Sequence, residues 1–499
     1  MEIISRQPEQ RQMDLSVAPG SRNTRRYELT AEGSSEIGYL FNFERFSTDN
    51  LTGVARTPPF AHIVYGDRSY ESTVPALKLT RTLGEGLESS LYLQRMNDRK
   101  SYSDTIFRGE KEQRKRAFRY YGLNLSSNRN SRGDGFSATL FRNYEEDRLN
   151  LMMHPDFRHQ HRYRQGARGY WSGALPVGNA RLAIGGDLTR THAHEMLGTS
   201  LPNLENVTTY GLFAEGALPI GDGISATAGV RLDGHSEGST HVSPYVNAAY
   251  SLSPGSKLYA VWGQSTRWPS LSEFDAALGR EDGGHAHHAT VSTSTRAADV
   301  HSHADHKSLC GERLTGVEVG WSANLLGGRA HARVSGFRLN MSREAVSMNI
   351  PGEGFFYVNS TGTTRSQGIE IETDLLVNDR MTAFANYTWN PVKVQPENTS
   401  VRYGAPKSLA NLGATYRLDN TMLYGVVRHR GKASGVQRMM GPPTTLSGHQ
   451  IVDLAATQSF SGNRDVFVRV GNLFNTQYQT FEGRPMFGRT IMVGTNLRF

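Results

Sequence analysis

The sequence is poor in cysteine and in apolar residues. Cys310 is the only cysteine among 499 residues, which excludes an internal disulfide and any metal site built from several thiolates. Hydrophobic residues make up 37% of the chain, below the ~45–50% usual for soluble globular proteins. No apolar run approaches the ~20 residues that a transmembrane helix needs. Two classes remain: a polar soluble β protein, or a membrane barrel whose lipid face uses every second residue.

The chain also lacks motifs of several enzyme classes and of nucleic-acid-binding proteins. It has no H-E-x-x-H zinc motif and no G-x-x-x-x-G-K-[ST] phosphate loop, and its scattered carboxylates define no glycosidase pair. The formal net charge is +8, but Lys and Arg are spread along the chain, whereas nucleic-acid binding calls for clustered basic residues. We therefore predict a protein that is not an enzyme, carries no cofactor and binds no nucleic acid.

The chain does contain apolar alternation with a period of two. Near its start, apolar and mostly polar positions alternate over Ile37, Gly38, Tyr39, Leu40, Phe41, Asn42, Phe43 and Glu44. This alternation gives a strand one apolar face and one largely polar face. Similar stretches recur as far as Ile491–Phe499, and almost nothing has a helical pattern. The alternation predicts an all-β protein.

The connections between these strands alternate in length. "LSPGSK" and "LLGGRA" join strands within a few residues, whereas the stretch from Arg267 to Thr315 contains no convincing strand. Short turns at one end and long loops at the other are typical of outer-membrane barrels. The closing strand "TIMVGTNLRF" ends on Phe499, and a bare apolar edge there invites pairing with another chain. We expect this strand to pair with the first one in a closed barrel.

A series of longer segments, in a fixed order, carries a further similarity. The segments are "TTYGLFAEGAL" (208–218), "TAGVRLD" (227–233), "HVSPYVNAAYSL" (241–252), "LYAVWGQSTRWPSLSEF" (258–274), "LTGVEVGWSANLLGGRAHARVSGFRL" (314–339), "YVNSTGTTRSQGIEIETDL" (357–375), "APKSLANLGATYRL" (405–418) and "VGNLFNTQYQTFEGRPMFGRTIMVGTNLRF" (470–499). Their order and spacing resemble the barrel of a TonB-dependent outer-membrane receptor. The final Phe499 also resembles the signal read by the outer-membrane insertion machinery.

This resemblance implies a transmembrane antiparallel β-barrel of about 22 strands, with short periplasmic turns and long extracellular loops. It implies residence in the outer membrane, contact with outer-membrane lipid, and energy supplied by the TonB system, although the box that contacts TonB and the plug are expected to be absent from this sequence. The implied activity is uptake of a metal or metal chelate, namely a siderophore, haem, cobalamin or a free metal such as copper or zinc. We expect the barrel to be a monomer.

The start of the chain carries a separate expectation. "MEIISRQPEQ" has neither the basic patch nor the apolar stretch of a signal peptide, and it resembles the junction between a receptor's plug domain and its barrel. Residues 1–10 are therefore interpreted as the end of a plug that is otherwise missing, and residues 11–499 as the barrel. Two alternatives remain open: a plugless passive pore or non-functional truncated receptor, and a soluble all-β binding protein.

A His-rich segment at about 275–312, expected to be an extracellular loop, is the first candidate metal site. "GGHAHHAT" and "VHSHADHK" supply His285, His287, His288, His301, His303, Asp305 and His306. Neutral imidazole is a common ligand for zinc, copper, nickel and cobalt. The alternative is a solvated low-complexity insertion that binds metal only incidentally.

A second candidate set mixes thioethers with imidazoles. "LNLMMHPDFRHQHRYRQ" contains Met152, Met153, His154, His159 and His161, and the distant "RMMGPP" adds Met439 and Met440. These soft ligands suit copper, although methionine also fills irregular gaps in packing.

Two smaller motifs have simpler explanations. In "THAHE", His192 and His194 share a face if the segment is extended, and with Glu195 they make a partial metal site or the polar end of a strand. Arg267 and Trp268 in "STRWPS" are explained by an aromatic residue anchored at the membrane interface.

Overall fold

The computed structural model consists almost entirely of antiparallel strands. It describes residue 8 and residues 11–49, 69–84, 86–104, 110–127, 134–151, 154–176, 179–197, 205–236, 238, 240–270, 273, 309–350, 354–395, 405–436, 444–460, 463–481, 484–486 and 488–499. Within these ranges the helical positions are a 3-10 turn at Leu326–Gly328 and the single residue Glu273. No helix in the described part of the chain is long and apolar enough to cross a membrane.

The strands are numbered in chain order. The first fifteen are β1 Gln12–Gly20, β2 Thr24–Gly33, β3 Gly38–Thr48, β4 Ser69–Gly84, β5 Leu87–Asp104, β6 Glu110–Ser127, β7 Gly135–Leu151, β8 His154–Ala174, β9 Arg181–Leu197, β10 Glu205–Ile220, β11 Ile224–His235, β12 His241–Ser253, β13 Ser256–Arg267, β14 Glu312–Leu325 and β15 Ala330–Ser342. The others are β16 Ala345–Ile350, β17 Gly354–Asn359, β18 Thr363–Asn378, β19 Met381–Trp389, β20 Val392–Gln395, β21 Ser408–Leu418, β22 Thr421–Arg430, β23 Ala433–Val436, β24 Thr444–Leu446, β25 His449–Phe460, β26 Arg464–Gly471, β27 Gln479–Phe481, β28 Arg484–Pro485 and β29 Thr490–Arg498.

Most of these strands form a closed 22-stranded antiparallel barrel, while β16–β17, β23–β24 and β27–β28 form separate hairpins. Neighbouring strands pair in sequence from β1 to β15, and the ring continues through β18, β19, β21, β22, β25, β26 and β29. The short β20 pairs with β18 beyond the end of β19, so β19 and β20 act as one strand interrupted at Asn390 and Pro391. The interruption has a physical cause, since proline has no N–H to donate to the ladder.

Pairing between the last and first strands closes the ring, as the sequence predicted. Leu15 lies opposite Leu497 in the register. The N–H of Met13 donates to the carbonyl oxygen of Phe499 at 3.1 Å, and the N–H of Phe499 donates back at 2.8 Å. Arg498 Nε also donates to Asp14 Oδ1 at 2.9 Å. Closure leaves no free edge along these strands.

The two rims of the barrel differ in the length of their connections. One rim, the turn end, has tight connections such as 221–223, 254–255, 379–380 and 419–420. In the second of these, Gly255 has a φ of +86°, a backbone conformation that favours glycine. The opposite rim, the loop end, carries the long connections, including 268–311 and the hairpins β16–β17 and β23–β24. The predicted division into short turns and long loops is confirmed.

Polarity is inverted relative to a soluble protein. Leu212, Val319 and Leu412 are 60%, 57% and 61% exposed, whereas the charged side chains Asp98 and Asp147 are each 5% exposed. Because successive strand residues point to opposite faces, the exposed apolar positions mark the outer wall and the intervening polar positions mark the inner wall. The outer wall also carries exposed aromatic residues towards both rims, with Trp171 and Tyr250 near the turn end and Tyr210 and Trp389 near the loop end. This arrangement matches the apolar band and aromatic girdles of membrane barrels.

The predicted plug remnant at residues 1–10 lies outside the described residues except for Pro8. The first strand of the barrel, β1, begins at Gln12.

Candidate functional site

The inner wall is lined by hydrogen-bonded ion pairs that link neighbouring strands. On β13, β14 and β15, Arg333 donates to Tyr259 at 2.8 Å and to Glu318 at 2.9 Å, and Tyr259 donates to Glu318 at 2.7 Å. On β9 and β11, Arg231 binds Asp187 at 2.6 Å and Asp233 at 2.8 Å. Such charge-assisted hydrogen bonds fix the side chains of a polar lining.

Strand β8 adds basic side chains to this lining. Its outer positions are marked by exposed Trp171 and Tyr163, so the alternate positions Arg162, Arg164 and Arg168 face the lumen. Arg162 pairs with Glu145 at 3.5 Å, while Arg164 and Arg168 are exposed. The planar guanidinium fork matches carboxylate and phosphate groups. The lumen therefore presents accessible groups suited to an anionic solute.

The base of the predicted His-rich loop is held by ion pairs. Arg267, at the end of β13, donates to Glu312, at the start of β14, through Nε at 2.6 Å and through a terminal nitrogen at 2.5 Å. Arg267 also reaches Glu273 at 3.2 Å, and Glu312 accepts the N–H of Ala345 at 2.9 Å. Burial acts to raise the pKa of Glu273, but hydrogen bonds from Arg267 and Ser270 outweigh it and lower that pKa below its ordinary value.

Trp268 lies at the same loop base and not in an aromatic girdle. Its ring centroid is 5.0 Å from that of His235 and 5.0 Å from that of His241. Both histidines occupy positions that alternate with the outward Leu232 and Val242, so they belong to the inner face. The interpretation of Trp268 as an interface anchor is therefore wrong, because the side chain packs against inner-wall residues.

Most of the metal ligands predicted from the sequence lie outside the described residues. These are His285, His287, His288, His301, His303, Asp305, His306, Met152, Met153, Met439 and Met440. For His154 the backbone is described but the side chain is not.

The structure brings His159 and His161 together with two residues that sequence reasoning missed. Metal-ligating atoms of Glu146, His159 and His161 all lie within 4.8 Å of one another. His159 Nε2 is 3.2 Å from Glu146 Oε1, and the hydroxyl of Tyr144 is 2.7 Å from His161 Nδ1 and 3.2 Å from Glu146 Oε2. We call Tyr144, Glu146, His159 and His161 the outer-wall cluster, because these positions share a face with exposed Leu140 and Trp171.

The signal for Glu146 lies in the register of the β7–β8 hairpin. If the two strands paired without irregularity from a two-residue turn at Met152 and Met153, Glu146 would lie opposite His159. A register shift between Leu149 and Leu151 moves the pairing by two residues, so Glu146 lies opposite His161 and diagonal to His159. The hydrophobic pattern does not reveal this irregularity, which is why the cluster was not predicted.

The "THAHE" motif lies on β9, next to the cluster. His192 and His194 share the outer face, as predicted for an extended segment. His194 lies opposite His161 in the register, while His192 Nδ1 contacts Asn206 Oδ1 at 3.1 Å. The side chain of Glu195 lies outside the described residues.

A serine motif lies at the end of strand β11. Gly234–Gly238 reads G-x-S-x-G, a pattern that serves catalysis only in a strand-to-helix elbow. Here Ser236 follows barrel strand β11, and its hydroxyl accepts the N–H of Thr208 at 3.1 Å. This context is that of a barrel rim connection.

Solved structures of similar fold are outer-membrane receptors. The ferric-catecholate import receptor Fiu from K12 E. coli is 14% identical, with a TM-score of 0.76 over 100% of this chain and 83% of that one. The copper transporter OprC is 16% identical, with a TM-score of 0.76 over 99% and 82% of the two chains. The FrpB iron transporter from Neisseria meningitidis is 15% identical, with a TM-score of 0.74 over 98% and 82%. At these identities the likeness shows the fold.

Sequence comparison shows the family. No curated protein matches the chain. Residues 21–473 match the family described as TonB dependent receptor-like, beta-barrel, a family of receptors and transporters. The match covers most of the chain and agrees with the closed barrel and its inverted polarity. The chain therefore belongs to the TonB-dependent receptor family, whose barrel domain it contains, and is a protein of the outer membrane.

Proposed function

We propose that this barrel takes up a metal or metal chelate through the outer membrane: a siderophore, haem, cobalamin, or free copper or zinc. The observation that carries the proposal is the polar inner wall, on which Arg164 and Arg168 are exposed within a closed barrel. The names of structural neighbours support the same class of cargo, since they include a ferric-catecholate import receptor, a copper transporter and an iron transporter.

The charge of the lumen favours an anionic chelate. Carboxylate and catecholate groups of metal chelates carry negative charge, and the Arg fork binds such planar oxygen pairs through two hydrogen bonds. Binding by Arg164 and Arg168 therefore selects the complexed form over the bare cation. Under this proposal the protein performs no chemical conversion of its cargo.

Capture at the loop end completes the proposed route. The predicted His285, His287, His288, His301, His303, Asp305 and His306 bind metal or haem there, and Met152, Met153, His154, Met439 and Met440 form further contacts with soft metals. The proposed partners are the TonB system and outer-membrane lipid, and the proposed assembly state is a monomer.

The test is a binding panel on the detergent-solubilised barrel. Ferric catecholate, ferric hydroxamate, haem, cobalamin, Cu²⁺ and Zn²⁺ are titrated separately by calorimetry. One class should bind saturably, and for an anionic chelate Arg164→Gln with Arg168→Gln should weaken binding by about tenfold or more, since each charged hydrogen bond contributes ~1.5–3 kcal/mol. Arg142→Gln, on the outer face of β7, is the matched control and should leave binding unchanged. Failure of every probe, together with large ungated conductance in planar bilayers, would favour a passive pore.

A separate variant tests the His-rich segment. Replacing His285, His287, His288, His301, His303 and His306 with Ala should remove high-affinity Zn²⁺ or Cu²⁺ binding by that segment. Unchanged stoichiometry and affinity would show that the segment is not a capture site.

A further inference from the structure

We propose that the outer-wall cluster binds a divalent transition metal ion such as Zn²⁺ through Glu146, His159 and His161. This site goes beyond metal uptake, because its side chains point away from the lumen and lie outside the transport route. The metal holds strand β7 to strand β8 on the outside of the barrel.

The ligand set and its geometry support this assignment. Two imidazoles and a carboxylate form a common three-ligand zinc set, which leaves a further position for water. The ligand atoms already lie within 4.8 Å of one another, and the ring centroids of His159 and His161 are 4.0 Å apart. The side chains of His159 and Glu146 are only 18% and 19% exposed. Small rotamer changes are enough to bring all three ligand atoms onto one ion.

Neighbouring groups fix the orientation of the ligands. Tyr144 contacts both His161 Nδ1 and Glu146 Oε2, so its hydroxyl links an imidazole and the carboxylate of the cluster. Partners of this kind orient metal ligands and contribute to affinity. His194 lies across from His161 on the same face, which places another imidazole beside the cluster.

The cluster lies just beyond the apolar band at the loop end. Tyr144 and Tyr163 pair across β7 and β8 with ring centroids 4.9 Å apart, and Tyr163 is exposed on the outer wall. Glu146 and His161 occupy the next outward-facing pair, about 7 Å further along the strands at ~3.4 Å per residue. This height corresponds to the aromatic girdle and the membrane interface, so a metal ion there does not face the full cost of burial in hydrocarbon.

Arg148 acts as an internal competitor for the metal. Its Nε donates to Glu146 Oε1, the same oxygen that His159 contacts, and Arg119 lies over the ring of Tyr144 at 5.5 Å. Arg148 satisfies Glu146 when no metal is bound, and both guanidinium groups repel an incoming cation. Removing the charge of Arg148 should therefore strengthen metal binding, an effect that a purely structural ion pair does not predict.

Zn²⁺ titration of the folded barrel tests the proposal. The background carries Ala at His285, His287, His288, His301, His303 and His306, so that the His-rich segment contributes no binding. In this background one equivalent of Zn²⁺ should bind, and Co²⁺ in its place should give the visible absorption of a low-symmetry site. Glu146→Gln and His161→Ala should each weaken binding by ~100-fold or more, since loss of a mere supporting partner already costs ~10–100-fold.

Two further variants make the result decisive. His192→Ala, on the same face of β9 but outside the cluster, should bind Zn²⁺ as the background does. Arg148→Gln should bind several-fold more tightly, and it provides a gain-of-function readout if a ligand variant fails to fold. Absence of Zn²⁺ binding in both the background and Arg148→Gln, or binding that survives Glu146→Gln and His161→Ala, overturns the proposal. Neither outcome bears on uptake through the lumen.

Discussion

At the scale of single residues, Arg267 holds the base of the predicted His-rich loop through two carboxylates. Its fork spans the end of β13 and the start of β14, where Glu312 is buried and also accepts the backbone N–H of Ala345. The ends of connection 268–311 are thus fixed by a few charged contacts. Loss of the guanidinium leaves a buried carboxylate without its cation.

Arg267→Ala should lower the free energy of unfolding by about 1–3 kcal/mol, because the Glu312 carboxylate stays buried and under-satisfied. The double variant Arg267→Ala/Glu312→Ala should lose less free energy of unfolding than the sum of the losses in the two single variants. Urea unfolding of the reconstituted barrel measures all three. Arg267→Lys keeps the charge but loses the fork, so it should fall between wild type and Arg267→Ala. Strict additivity would show that the pair does not couple.

The contact between Glu273 and Arg267 should depend on pH. The pKa of Glu273 in the folded protein lies below its ordinary value. The stability that this contact gives to the loop base is therefore fully present above the ordinary pKa and is lost as the pH falls through the lower, folded pKa. Limited proteolysis within connection 268–311 should therefore accelerate under acidic conditions. Glu273→Gln should remove this acid dependence at the loop base, and an unchanged pH profile in that variant would contradict the assignment.

Single-residue features were only partly predictable. His159 and His161 were predicted as candidate ligands from their residue types, but Glu146 comes close to them only through the shifted register of β7 and β8. The location of Trp268 was predicted wrongly because it, too, depends on contacts between separate strands. Its ring packs between His235 and His241, and nothing in the local pattern indicates contact between the ends of three different strands.

At the scale of strands, the two faces should tolerate charge very differently. Ala248 and Ala249 are neighbours on β12, and Ala248 shares the outer face with exposed Val246 and Tyr250. Ala248→Arg should cost about 1–3 kcal/mol, because an Arg that faces lipid costs most at the bilayer midplane and less towards the aromatic girdle, where Tyr250 lies two residues away. Ala249→Arg faces the lumen, beside Tyr259 in the register, and should change stability by less than about 1 kcal/mol.

Unfolding of both variants in lipid vesicles measures this difference. The two substitutions are identical in chemistry and adjacent in sequence, so each is the control for the other. Equal costs would mean that the faces are not exposed to lipid and water as described.

Closure by the terminal strands gives another prediction. Deleting Phe499 removes both backbone hydrogen bonds with Met13 and one end of the β1–β29 seam. The fraction of chain that migrates as a compact, heat-modifiable species in a gel should fall. Phe499→Tyr keeps the backbone and an aromatic side chain and should migrate as wild type. A deletion that folds as efficiently as the full chain would show that the seam is not closed by this residue.

Strands with strong apolar alternation were predictable, and those without it were missed. Segments such as Tyr210–Ala214 and Val317–Trp321 lie within β10 and β14. Strand β8, His154–Ala174, was not recognised at all, and its first half extends beyond the apolar band and is polar on both faces. The break between β19 and β20 at Pro391 reflects backbone chemistry that a hydrophobicity pattern does not capture.

At the scale of the whole molecule, the fold follows from inverted polarity combined with closure. A strand with one apolar face cannot leave its backbone N–H and C=O groups unpaired in lipid. When such strands close into a ring, each strand forms hydrogen bonds with a neighbour on both sides. Repeated alternation and the resemblance to receptor barrels were sufficient to predict about 22 strands, and the closed barrel confirms that number. Cargo was not predictable to the same extent, because the His-rich candidate ligands lie in the long connection 268–311, whose sequence does not determine which side chains meet.

The measurement that tests the account most directly is a nitroxide scan of residues 210–218 on β10, in a Cys310→Ser background reconstituted in lipid. Labels at outward Tyr210, Leu212, Ala214 and Leu218 should collide preferentially with oxygen dissolved in the bilayer. Labels at Phe213, Glu215 and Ala217 should collide preferentially with a water-soluble nickel complex in the lumen. A two-residue alternation of opposite phase for the two reagents is the predicted result, and accessibility without that alternation would contradict a lipid-spanning barrel.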